Sequence, residues 1–170
     1  MTHRIIAALP QKATGYPVFA YDTETQGLDA TQVLIICWEN VNTGEQYTAF
    51  SVAEFREFLE ERAPCVAFAH NGSSFDVLGI LSERELYESE KVAAGTKVFE
   101  YKVNGVMYRD SKHLIPLPLS KVAKSVDMEK GITPQEYIDG TVTEITQEAI
   151  DYCLLDVRIL SAALRRLKEL

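Results

Sequence analysis

The chain has 170 residues, 46% of them hydrophobic and 25% charged, with a formal net charge of −8 at pH 7. That length suits one domain with a sizeable core, and no apolar run approaches what a membrane helix needs. The acidic balance argues against a protein that grips long nucleic acid by its phosphates, unless some carboxylates collect metal ions that then meet a phosphate. In chain order, Val18–Thr23 and Val33–Val41 are apolar, β-branched runs that read as strands, and Gln46–Phe50 is a shorter one. Their short links predict an antiparallel meander. Ser51 and Glu54 have capping-box spacing and open an amphipathic helix to about Ala63, which Pro64 ends. Cys65–His70 predicts a strand and Ser74–Tyr87 a helix. Lys97–Val103 and Val106–Asp110 flank Asn104-Gly105, the strongest short-range hairpin signal. Short helices are expected at Leu119–Val126 and after Thr133-Pro134-Gln135-Glu136, and a long one runs from a Thr146 cap close to Leu170. The sum is a mixed α/β sheet with helices packed on it.

The segment Met1–Pro10 is too short for a secretion signal. Cys37, Cys65 and Cys153 lie in apolar contexts without C-x-x-C spacing, and read as reduced core residues of a cytoplasmic protein. A modest basic cluster, Arg165-Arg166-Lys168, closes the chain.

Three segments end in acids that the elements alone do not require. Asp22 and Glu24 stand two apart at the end of the first strand, so both point to one face and repel. A solvated strand end before a turn would account for them singly. Asp76 follows a Gly-Ser turn at a helix start, where the helix dipole favours a carboxylate. Asp156 lies on the face of the last helix that carries Ala149, Tyr152, Ile159 and Ala163, and a salt bridge to a neighbouring Lys or Arg would account for it. Taken together, the four form one cluster able to bind hard divalent cations through oxygen, in the paired arrangement that supports attack on a phosphodiester. Tyr152, one turn before Asp156, would orient the attacking water.

In this order, D-x-E, N-x3-F-D and Y-x3-D resemble the three motifs of the DEDDy 3′–5′ exonucleases. The chain is most similar to the proofreading domain of protein-primed family-B DNA polymerases of phages and linear plasmids. Tyr108-Arg109-Asp110-Ser111 through Pro116-Leu117-Pro118, Lys121-Val122-Ala123-Lys124 and Ile132–Tyr137 extend the likeness from about Phe19 to Leu164. The resemblance implies a ribonuclease-H-like fold, one exonuclease domain over residues 1–170, and two Mg²⁺ or Mn²⁺ ions held by Asp22, Glu24, Asp76 and Asp156. It makes Tyr152 the water-orienting residue and Lys130 a group near the scissile phosphate. Thr25, His70, Asn71, Phe75 and Ser111 would hold the 3′ end of a single strand, Phe75 against a base. Ser111 is followed by Lys112 where relatives carry Leu, and Thr133 stands where they carry a hydrophobic residue.

No polymerase segment follows the third motif, which fits either a free-standing exonuclease or a domain cut from something longer; the start at Met1 favours the first, and the expected setting is the cytoplasm of a bacterium or a phage-encoded product. The expected activity is release of nucleoside 5′-monophosphates from single-stranded DNA, with no membrane partner. The same site would also serve an RNase or short-oligonucleotide hydrolase. A reading of another class is an accessory module that docks on a polymerase or recombination protein through the Asn104-Gly105 hairpin or the basic C-terminal end.

Overall fold

Alternation along the first strand, β1 (Val18–Thr25), sets up the two sides of the fold: Phe19 and Tyr21 face one way, Ala20 the other. The computed structural model describes residues 15–169, so the reading of Met1–Pro10 lies outside the described residues. β1 pairs antiparallel with β2 (Val33–Asn40), which pairs antiparallel with β3 (Gln46–Ala49). The predicted meander is therefore present. On its other edge β1 pairs parallel with β4 (Cys65–Ala69), and β4 pairs parallel with β7 (Val106–Asp110). β6 (Lys97–Val103) and β5 (Glu90–Ala94) complete a seven-stranded sheet of order β3-β2-β1-β4-β7-β6-β5. Asn104 and Gly105 both take positive φ in the β6–β7 turn, as the Asn-Gly signal predicted.

Helix α1 (Val52–Glu60) covers the Phe19 side, where Phe55 and Leu59 pack with Tyr21, Trp38 and Ala67. The long helix α6 (Gln147–Glu169) covers the other side, and its Ala149, Cys153, Val157 and Leu160 pack on Ala20, Cys37, Val66 and Phe68. Helix α4 (Leu119–Ser125) lies outside α6 and joins Val122 and Ala123 to Ile159 and Ala163. The Thr146 hydroxyl accepts the Ala149 N–H at 3.2 Å, which is the cap expected for α6. No helix among the described residues is long and apolar enough to cross a membrane.

Four sequence expectations need correction. Ser51 precedes α1 in extended conformation but its side chain caps nothing. The helix predicted over Ser74–Tyr87 is instead a 3-10 turn at Gly72–Ser74, α2 (Asp76–Ile80) and α3 (Glu83–Glu88). The break falls at Leu81, which is extended, because Ser82 and Glu85 form a reciprocal capping box that starts a new helix. Strand β5 is absent from the expected elements: every residue of Glu90-Lys91-Val92-Ala93-Ala94 is exposed and the run carries no alternating apolar pattern. Finally, α5 (Gln135–Asp139) has no side-chain cap, since the Thr133 hydroxyl is engaged on Tyr152.

The C-terminal basic cluster is occupied within the molecule. Arg165 reaches buried Glu39 at 2.9 Å, Arg166 meets Asp127 at 3.0 Å, and Lys168 donates to Asn42 at 2.6 Å.

Candidate functional site

Asp22 and Glu24 continue the Ala20 face of β1, so both carboxylates turn toward α6. Asp76, the first residue of α2, is tied to the same strand: the Thr23 N–H and hydroxyl donate to its Oδ1 at 3.1 and 2.6 Å. Asp156 reaches in from α6, and its Oδ2 accepts from Lys130 Nζ at 2.7 Å. Lys130 also donates to the Tyr152 hydroxyl at 2.5 Å, and Thr133 Oγ1 lies 2.8 Å from that oxygen. Gly131 lies against the Tyr152 ring, where a Cβ would come to 3.0 Å from a ring carbon. The segment Lys130–Thr133 thus holds Tyr152 by ring and hydroxyl together.

Burial raises the pKa of all four carboxyls, and repulsion from the others adds to it for Asp22 and Glu24. For Asp22, Asp76, Glu24 and Asp156 follow burial as causes, while the Lys130 charge opposes them. Glu24 is pushed up to about 8, by burial first and Asp156 next. Asp76 rises to about 6, restrained by the hydrogen bonds from Thr23 that favour its charged form. Asp156 is raised by burial against the pull of Lys130. Burial alone would lower the Lys130 ammonium, but its bonds to Asp156 and Tyr152 more than reverse this and keep it charged.

One ammonium does not offset four acids. Asp156 Oδ1 is buried and has no hydrogen-bond partner among the described residues. A buried carboxylate oxygen left so is costly, and an oxygen-bound divalent cation would satisfy it and relieve the repulsion. The donor set therefore fits such cations.

The residues expected to hold substrate divide into two groups. Phe75 is half-buried and belongs to none of the apolar clusters among the described residues. Asn71 adopts a left-handed conformation (φ 67°), and its side-chain oxygen accepts from Lys112 at 3.2 Å. By contrast, Ser111 is fully buried, with its hydroxyl 3.0 Å from His70 Nδ1. His70 Nε2 lies 2.7 Å from the Leu117 carbonyl, so Nε2 carries the proton and Nδ1 accepts from Ser111. Thr25 is buried and donates to the Gly27 carbonyl at 2.6 Å. These three spend their polar atoms inside the protein.

Sequence reasoning gives no role in the site to three of its neighbours. Cys153 places Sγ 3.8 Å from Asp22 Oδ2 and 3.5 Å from the Asp22 carbonyl, and its i, i+3 spacing from Asp156 is the available signal. Thr133 has the pattern of a helix cap, although it stands three residues after Lys130. Asp110, buried at the end of β7, accepts from the N–H groups of Asn71, Ser73 and Lys112 and from the Ser73 hydroxyl. It fixes the turn that precedes Asp76.

No family model matches the chain, and no curated protein matches it in sequence. Solved structures do resemble it. Phi29 DNA polymerase complexed with single-stranded DNA superposes with a TM-score of 0.70 at 18% identity, over 91% of this chain and 31% of that one. The same polymerase with primer-template DNA gives 0.67 at 19% identity, over 91% and 31%. The family B DNA polymerase from the hyperthermophilic archaeon Pyrobaculum calidifontis gives 0.67 at 19% identity, over 91% of this chain and 25% of that one. This chain thus spans a third or less of the polymerases it matches, and what it shares with them is the fold: a ribonuclease-H-like mixed sheet flanked by helices.

Proposed function

We propose that the chain is a 3′–5′ exonuclease domain of the DEDDy type, which releases nucleoside 5′-monophosphates from the 3′ end of single-stranded DNA. The observation that carries this reading is the meeting of four buried or half-buried acids beside Tyr152, with one ammonium among them and Asp156 Oδ1 unpartnered. The polymerases that share the fold include one solved with single-stranded DNA, which supports the choice of substrate.

Asp22, Glu24, Asp76 and Asp156 would hold Mg²⁺ or Mn²⁺. Such ions, when bound, supply an activated water and stabilise the leaving 3′ oxygen. The protein's own groups do the positioning. Thr23 keeps Asp76 against β1 in its charged form. Tyr152, gripped by Lys130, Gly131 and Thr133, presents its hydroxyl at a set place one turn from Asp156 and orients the attacking water. Lys130 contributes positive charge toward the scissile phosphate. Phe75, outside the core clusters, offers a face on which a terminal base can stack.

The test is incubation of 5′-labelled single-stranded DNA, and matched RNA in parallel, with the protein and Mn²⁺. A ladder shortening from the 3′ end that vanishes in Asp22→Ala is the expected result, with DNA the faster substrate. A faster RNA reaction would reassign the substrate, and no cleavage of either by folded protein would discard the nuclease.

A further inference from the structure

With the Cys37 thiol beside it, Cys153 sets against the carboxylates a thiol that hard-cation chemistry leaves unused. Its sulfur and one oxygen each of Asp22 and Glu24 lie within 4.8 Å of one another. Asp156 Oδ1, buried and unpartnered, stands one helical turn further along α6. We propose that Cys153, Asp22 and Glu24 form a second mode of metal binding at this site, which takes a thiophilic divalent cation such as Zn²⁺ or Cd²⁺ and thereby blocks the hard-cation site. The blocking of catalysis rests on the exonuclease reading; the binding does not.

Geometry and ligand chemistry both support it. With Zn–S near 2.3 Å and Zn–O near 2.1 Å, sulfur and oxygen on one tetrahedral ion lie about 3.6 Å apart. The Cys153 Sγ to Asp22 Oδ2 separation of 3.8 Å needs to close by only about 0.2 Å to meet that. Asp156 lies outside this group of three, so a water would complete the tetrahedron. Thiolate is a soft ligand that selects Zn²⁺ or Cd²⁺ over Mg²⁺ and Mn²⁺, which prefer oxygen. As the metal–sulfur bond forms, the thiol proton passes to solvent and the cation neutralises the sulfur charge. Cys65 lies in the apolar cluster on the other side of the sheet and takes no part.

Wild type, Cys153→Ala and Cys65→Ala are titrated with Cd²⁺ while the ultraviolet sulfur-to-cadmium charge-transfer band is recorded. The thermal shift caused by Mn²⁺ and nuclease activity are measured on the same samples. Wild type and Cys65→Ala should show a band that saturates at a single Cd²⁺ per chain and that excess Mn²⁺ shifts to higher Cd²⁺. Cys153→Ala should lose the band, yet keep its Mn²⁺ thermal shift. Cys153→Ser replaces it if the alanine variant does not fold. A band absent from wild type, or one that survives removal of Cys153, overturns the proposal. A Cys153-dependent band in protein that cleaves nothing supports the metal site and discards the exonuclease reading. Mn²⁺-dependent cleavage that persists once Cd²⁺ has saturated the band overturns the blocking.

Discussion

Glu24 and Asp76 are the residues whose protonation tells most about the site. Both have folded pKa values raised above the ordinary carboxylate range, to about 8 and about 6. A raised acid favours the folded state below its ordinary pKa, and that contribution is lost as pH rises through the folded value. Metal-free protein should therefore melt at higher temperature at pH 5 than at pH 8, which thermal unfolding in EDTA will show. Every tenfold weakening of a carboxyl's acidity on folding is worth about 1.4 kcal/mol at most. Mn²⁺ should shrink the difference by stabilising the charged form. Asp22→Asn removes one repelling charge, so it should raise the metal-free melting temperature at pH 8, by about 2–4 °C for each kcal/mol relieved, and abolish the Mn²⁺ shift. Tyr152→Phe should keep that shift but lower kcat on the order of 10²-fold in a single-turnover assay. A full rate would remove the hydroxyl from the chemistry.

Among the elements, two serine caps with the same sequence pattern behave differently. Ser82 accepts the Glu85 N–H and Glu85 returns the bond, whereas Ser51 caps nothing. Ser82→Ala should cost about 1 kcal/mol in urea unfolding and Ser51→Ala only a few tenths. The larger effect belongs to the end of β7. Asp110 gathers the Asn71 and Ser73 N–H groups and the Ser73 hydroxyl from the Asn71 turn, and the Lys112 N–H from the turn that follows β7. Asp110→Ala strands those donors and should lower stability by about 2–3 kcal/mol. Because the Asn71 turn leads directly into Phe75 and Asp76, the variant should also lose cleavage at temperatures where circular dichroism shows it folded.

At the scale of the molecule, the site exists because α6 is held against the sheet. Beyond the apolar contacts, buried Glu39 of β2 accepts from Ser161 at 2.5 Å and Arg165 at 2.9 Å, both on α6, and from Gln46 at 2.9 Å. Arg165→Ala leaves a buried carboxylate short of its cation and should cost about 3 kcal/mol, while Glu39→Gln retains hydrogen-bonding capacity and should cost about 1 kcal/mol. Chemical denaturation followed by Trp38 fluorescence measures both. The same contacts bear on partners. Arg165, Arg166 and Lys168 are each engaged within the molecule, and the hairpin Asn104 bonds Glu60 at 3.1 Å. The docking surfaces suggested by the sequence are thus already occupied in part.

Much of this was legible in the residues. Periodicity located β1, β2, β4, β6, β7 and α6, because each is a strongly patterned run whose burial follows from its own side chains. The two-residue spacing put Asp22 and Glu24 on one face, and the four-residue spacing put Tyr152 and Asp156 on another. Local pattern failed where the deciding partner is distant in sequence. β5 is a strand because β6 offers it an edge, not because Glu90–Ala94 has strand character. Thr133 leaves its helix to meet a hydroxyl 19 positions away, and the turn before Asp76 is shaped by Asp110. Sequence spacing by itself determined which acids share a face of a strand or helix. Only the tertiary structure decided that Lys130 lies on Asp156, that Cys153 lies against Asp22, and that burial raises all four acids, since Coulomb and desolvation energies depend on through-space distance and on the water excluded by packing.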